Sequence, residues 1–210
     1  MANSALIVVD MQKDFMPDGA LPVDGGYDIV ERINELMASF DLVCATQDWH
    51  PPDHSSLASN HDGHDVGDIV EVEGIEQYLW PDHCVQQTEG AEFVDDLETD
   101  EFDEVFRKGD DPRYDSYSGF YDNGHKSATG LRTFLEERKI EEVFVCGVAT
   151  DYCVKYTVLD ARNIGFRCHL IVDACRGVVN EAGDIEESVA EMADAGAEVV
   201  STKYALERPR

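Results

Sequence analysis

The chain has 210 residues, 43% of them hydrophobic, with 45 Asp+Glu against 16 Lys+Arg and a formal net charge of -29 at pH 7. So acidic a surface excludes nucleic acid and anionic membrane as partners, because both need a basic face, and the repeated apolar runs exclude a disordered acidic chain. The length suits one compact domain with a full core and is short for two, so residues 1–210 are expected to form a single domain.

No apolar stretch approaches the roughly 20 residues that span a bilayer. Met1-Ala2-Asn3-Ser4 runs straight into a strand pattern without a basic leader, so a cytoplasmic protein is expected. The six cysteines (Cys44, Cys84, Cys146, Cys153, Cys168 and Cys175) fall mostly in or beside predicted core elements, which points to free thiols. The acid is spread over helix faces and loops, as at Glu31, Glu35, Glu136, Glu137, Glu186, Glu187 and Glu191. With lysine scarce, this is the pattern expected of a halophilic protein whose counterions screen its self-repulsion.

In chain order, Ala5 to Asp10 is a continuous apolar run ending in a carboxylate, the pattern of a strand buried on both faces of a parallel sheet. Met11 to Gly26 reads as loop, Tyr27 to Phe40 as helix through Ile29, Val30, Ile33, Leu36 and Met37, and Leu42 to Thr46 as a second strand. From Gln47 the chain is polar and acidic through Trp80-Pro81-Asp82-His83-Cys84, and we expect its longest irregular segment there, Ser55 to Leu79 included. A short strand at Glu104 to Arg107 delivers Lys108, an aromatic-rich loop spans Asp115 to Gly124, and a helix is expected over Ala128 to Arg138. A strand from Val143, a helix from Asp151 to Asn163, a strand at Phe166 to Val172, a helix at Ile185 to Ala195 and a strand at Glu198 to Ser201 complete the alternation. Such alternation predicts a three-layer α/β/α fold around a central, mostly parallel six-stranded sheet.

Asp10, Lys108 and Cys153 each lie just past a predicted strand, at sheet edges that converge in open α/β folds. They are an acid, a cation and a nucleophile. Cys153 falls in a strand-to-helix turn, where free N–H groups and the helix dipole are expected to lower its pKa toward neutrality and to hold an oxyanion. Asp10 is the candidate proton carrier, with Lys108 favouring both ionised forms. A second set is Asp48, His50, His54 and His83, whose carboxylate and imidazoles suit one divalent ion, Zn²⁺ first and Fe²⁺ or Mn²⁺ otherwise. His61 and His64, in the acidic segment, read as solvated.

Six segments carry a resemblance: Val9-Asp10-Met11-Gln12-x-Asp14-Phe15, Asp48-Trp49-His50-Pro51, Trp80-Pro81-x-His83-Cys84, Arg107-Lys108-Gly109, Asp115-Ser116-Tyr117-Ser118-Gly119-Phe120 and Gly147 through Val154. In this order they closely resemble the nicotinamidases of the isochorismatase-like hydrolase superfamily. The resemblance implies an amidohydrolase that converts nicotinamide to nicotinate and ammonia through a cysteine thioester, with Asp10, Lys108 and Cys153 as triad. It implies Asp48, His50 and His83 as metal ligands with His54 as a fourth in some members, Phe15 and Trp80 around the pyridine ring, and the N–H groups of Ala149 and Cys153 as oxyanion hole. It also implies a cis Val148-Ala149 bond. The alternatives are another amidase of the superfamily acting on ureido or carbamoyl amides, or an isochorismatase. A homo-oligomer is compatible with these residues.

Overall fold

The computed structural model describes residues 3–208. Strands β1 (Ser4–Val9), β2 (Val43–Asp48), β5 (Glu104–Lys108), β6 (Glu142–Val148), β7 (Arg167–Arg176) and β8 (Glu198–Val200) form a six-stranded sheet in the order β5-β2-β1-β6-β7-β8. Every pairing in it is parallel. In β1, Ala5 to Val9 are wholly buried, as an apolar run without alternation demands.

Helices α1 (Val30–Met37), α2 (Leu131–Glu137), α3 (Lys155–Ile164), α4 (Asp184–Asp194) and α5 (Thr202–Glu207) connect and flank the sheet. Helix α1 turns Val30, Ile33, Leu36 and Met37 inward, at helical spacing. It packs with α5 and against β1, while α3 packs with α4 and against β6 and β7, so the sheet lies between helical layers. At the end of α3, Gly165 adopts φ 110° and its N–H caps the carbonyls of Ala161 and Arg162.

The chain moves outward from β1 through β2 to β5 and then returns to β6 on the other flank of β1. That reversal opens a crevice at the carboxyl ends of β1 and β6, where open α/β sheets bind ligands. Register places the ends together: Val9 pairs with Gly147, and Asp48 with Lys108. Gly147 is required there, because at its φ of 116° a Cβ would lie 2.1 Å from the Val9 carbonyl oxygen.

Several boundaries differ from the sequence expectation. The segment Ser55 to Leu79 is not irregular throughout, since β3 (Ile69–Val72) and β4 (Ile75–Tyr78) form an antiparallel hairpin. Its acidic residues hid it: Glu71 pairs directly with Glu76, both at the surface. The helix expected from Tyr27 begins as a 3-10 turn (Gly26–Ile29), that expected from Ala128 starts at Leu131 behind Gly130 at φ 98°, and β7 runs on to Arg176. Helix α5 was not anticipated. Ser201 starts it by accepting the Tyr204 N–H on its side chain at 3.3 Å.

All six cysteines are buried and free. The seven helix-face glutamates named above are all exposed. Among the described residues no helix is long and apolar enough to cross a membrane.

Candidate active site

Asp10 follows β1 at φ 47°, a left-handed turn that Asp tolerates better than most residues, and its side chain is fully buried. Thr46 Oγ1 donates to Asp10 Oδ1 at 2.6 Å, while Oδ2 accepts no hydrogen bond and lies 2.9 Å from Lys108 Nζ. Lys108, at the end of β5, is 1% exposed and donates to Asp48 Oδ1 at 2.7 Å, to the Ser116 carbonyl at 2.8 Å and to Cys153 Sγ at 3.4 Å. One ammonium thus ties the three residues of the predicted triad to the predicted metal cluster. Cys153 Sγ and carboxylate oxygens of Asp10 and Asp48 lie within 4.8 Å of one another.

The electrostatics follow from burial. Desolvation alone would pull Lys108 down, but the two carboxylates outweigh it and hold its pKa well above the ordinary lysine range. For Asp48 burial is outweighed as well, by Lys108 and His50, and the carboxyl titrates well below its usual range. For Asp10 burial wins over Lys108, and its pKa is raised.

Cys153 departs from the sequence expectation. Its thiol pKa is raised well above the free value, because burial, and then Asp10 and Asp48, outweigh the attraction of Lys108. The turn bearing it, Thr150 to Val154, is a π-helical turn ahead of α3, so the nucleophile sits inside the first turn rather than before it. The resting group is a thiol. A base is therefore needed, and the Asp10 carboxylate, with an oxygen within 4.8 Å of Sγ, is the group placed to serve.

The Val148-Ala149 peptide is cis. Ala149 and Cys153 line a slot together with Phe15, Leu21, Asp48, Trp80, His83, Asp115, Tyr117, Tyr152 and Val178. Phe15 and Trp80 are each 4% exposed, and Trp80 Nε1 donates to the Tyr117 hydroxyl at 3.0 Å, which fixes the indole.

His50 and His83 are each 4% exposed or less. Each turns Nδ1 to a backbone carbonyl, Gly109 at 2.9 Å and Pro81 at 2.8 Å, so each presents Nε2 as a lone pair. Asp48 Oδ2 lies 3.5 Å from His50 Nε2 and 3.7 Å from His83 Nε2. Donors bound tetrahedrally at about 2.1 Å would be roughly 3.4 Å apart, so the three suit one ion. His50 Nε2 is buried with no hydrogen-bond partner. Gly109 makes room for this ring: at φ 66° a Cβ would lie 2.5 Å from His50 Cε1.

His83 arrives from the far side of the hairpin because the Cys84 N–H donates to Asp14 Oδ2 at 2.7 Å, and the His50 N–H to the Cys84 carbonyl at 3.0 Å. The His54 ring lies 4.3 Å from the His50 ring, tilted by 37°, and His54 groups with His50 and Asp115, not with Asp48 and His83. Its Nδ1 accepts the Ser56 N–H at 3.2 Å, and burial first, then His50, push its pKa down to about 4. His61 is half-buried and bonded to the Ser55 carbonyl, and His64 is exposed beside Asp68.

A protein-family profile described as the isochorismatase domain matches residues 4–204. The chain belongs to the isochorismatase family. Its relatives include the nicotinamidase of Escherichia coli, 43% identical over 201 residues that cover 94% of each chain. Among solved structures, a nicotinamidase/pyrazinamidase of Acinetobacter baumanii superposes with a TM-score of 0.92 at 41% identity, covering 97% of this chain and 98% of that one. A pyrazinamidase of Pyrococcus horikoshii in complex with zinc gives a TM-score of 0.78 at 39% identity, covering 95% and 99%.

Residue-by-residue reading missed several parts of this isochorismatase-family site. Gln12 clamps the Asp48 backbone in both directions, donating to its carbonyl and accepting its N–H, each at 2.8 Å. Thr46 and Ser116 hold Asp10 and Lys108. Asp115 lines the slot, its carboxylate held by the Ser116 N–H at 2.7 Å and by Gln77 of β4 at 3.1 Å. Gln12, Asp115 and Ser116 lay inside the segments that carry the resemblance without a role assigned to them, and for Thr46 the signal was its place near the end of β2.

Proposed function

We propose that this chain hydrolyses nicotinamide to nicotinate and ammonia, in pyridine-nucleotide salvage. The observation that carries the reading is the contact of a buried lysine with Asp10 and with Cys153, which lines a slot together with Phe15 and Trp80. Asp10 takes the Cys153 proton and the sulfur attacks the carboxamide carbon, with the N–H groups of Ala149 and Cys153 holding the oxyanion. The Asp10 proton leaves with ammonia. Asp10 then deprotonates a water that attacks the thioester, nicotinate departs, and the thiol recovers its proton. Lys108 stays a cation throughout, offsetting the negative charge that passes between Asp10 and Cys153. Ammonia release from nicotinamide, compared with that from an N-carbamoyl amino acid, tests the assignment. Faster turnover of the carbamoyl compound would move it to another amidase of the family.

Asp48, His50 and His83 are the residues we assign to one divalent ion, most simply Zn²⁺. The chemistry such an ion supplies is Lewis acidity. Burial draws the His50 pKa down, but Asp48 outweighs it and raises it, so a proton competes for the same lone pair. His50→Ala and His83→Ala should each reduce bound zinc from about one ion per chain to a small fraction by elemental analysis. Full zinc in both variants would refute the site. His54, held by Ser56, is assigned to packing the His50 ring, and His54→Ala should weaken zinc retention by less than either.

The exposed acid supports a halophilic protein. Apparent melting temperature should rise with KCl up to molar concentrations as counterions screen the charge. A flat or falling dependence would remove the halophilic assignment.

A further inference from the structure

Directly after β7 the chain passes the mouth of the slot: Gly177 is buried, Val178 is half-buried and lines the slot, and Val179 is 50% exposed. Bonds tie this stretch to the turn that carries Cys153. The Val178 N–H donates to Asp151 Oδ1 at 3.0 Å and the Val179 N–H to Asp151 Oδ2 at 2.9 Å. Asn180 Nδ2 donates to the Tyr152 hydroxyl at 2.8 Å. Asp151 is 5% exposed, and no step of the hydrolysis uses it.

The backbone here is held against its preference. Val179 has φ 59°, a left-handed conformation that β-branched residues avoid. A Cβ on Gly177 would fall 2.1 Å from Ile185 Cδ1 and 2.9 Å from Asp151 Oδ1, so the chain lies flush on both. Strain of this kind persists only where the surroundings over-determine it. One buried carboxylate gripping two successive N–H groups does that, and it fixes the backbone at Val178, which lines the slot.

We propose that Asp151 is a positioning residue that sets ring specificity: by latching Val178 it holds one wall of the slot in place, and the fixed wall favours an unsubstituted pyridine carboxamide over ring-substituted ones. The proposal rests on the reading of the slot as a pyridine-carboxamide site. A rigid apolar wall discriminates one ring methyl by on the order of 10- to 200-fold, and a wall free to retreat loses most of that.

The experiment compares the wild type with Asp151→Ala, Asp151→Asn and Val178→Ala. Amide exchange at Val178 and Val179 should accelerate at least tenfold in Asp151→Ala and less in Asp151→Asn, which keeps one carbonyl oxygen. Unchanged exchange in Asp151→Ala would overturn the latch. The ratio of kcat/KM for nicotinamide over 5-methylnicotinamide should fall at least about tenfold in both Asp151→Ala and Val178→Ala, with the nicotinamide loss mainly in KM. Val178→Ala keeps all the latch bonds, so it reads the wall even if Asp151→Ala folds poorly. An unchanged ratio in both would overturn the specificity role. Should the wild type hydrolyse no pyridine carboxamide, the proposed function fails separately, and calorimetric binding of nicotinate against 5-methylnicotinate asks the same question of the wall.

Discussion

Cys153→Ala is expected to abolish ammonia release from nicotinamide, by at least on the order of 10⁴-fold, while leaving the fold intact. The side chain is small and its removal opens little space among Ala149, Trp80 and Tyr152. No other group replaces it: Cys146 and Cys175 are buried in strands β6 and β7, and neither lines the slot. Cys153→Ser should be nearly as inactive, for a hydroxyl is a far weaker acid than a thiol and Asp10 is a carboxylate with only a raised pKa. In the wild type a rapidly quenched reaction should carry a nicotinoyl adduct on Cys153, visible by mass spectrometry of the peptide. Substantial turnover by either variant, with contaminating enzyme excluded, would refute covalent catalysis here. Asp10→Asn separates the two roles, because it keeps the thiol and removes the proton carrier. It should fail without accumulating the adduct.

The parts of this site that were legible in the sequence are those that strand ends announce. Asp10, Lys108 and Cys153 each lie at or just past the end of a strand pattern, and parallel register converts that local fact into a shared location. The hairpin β3–β4 was illegible because its paired glutamates face solvent and leave no clean alternation of apolar residues. The protonation state of Cys153 was misjudged for a related reason. A helix N-terminus is visible in sequence, but the depth of burial and the two carboxylates beside the sulfur come from chain segments far away. Gln12, Thr46 and Asp115 act through bonds to backbone or side chains 36 or more residues distant, or through a loop whose path no pattern encodes. His83 joined the cluster by a bond from Cys84 to Asp14, 70 residues away in sequence. Its spacing gave the residue type and nothing of the route.

Lys108→Met is expected to cost about 3–5 kcal/mol of stability near neutral pH and at least about 10²–10³-fold in kcat/KM. Methionine matches the length of the side chain, so the volume is nearly kept and the effect is charge. What the ammonium leaves behind is two buried carboxylates, Asp10 at 0% and Asp48 at 4% exposure, that both faced it. Lys108 lowers both their pKa values in the wild type, and without it they repel each other in a dry site. The sign of the pH dependence follows. A carboxyl whose folded pKa stands above its unfolded value of about 3.9 gains its proton first in the folded state, so stability rises as pH falls through the folded value. Asp10 already stands above its ordinary value and should rise further. The deficit of Lys108→Met against the wild type should therefore be largest at pH 7 to 8 and shrink toward pH 5, measured by thermal unfolding of metal-free protein. Lys108→Arg should not rescue it, since a planar guanidinium is too wide to meet Asp10, Asp48, the Ser116 carbonyl and Cys153 from one point. A deficit in Lys108→Met independent of pH would mean that packing, and not the pairing of one cation with two carboxylates, is what Lys108 contributes.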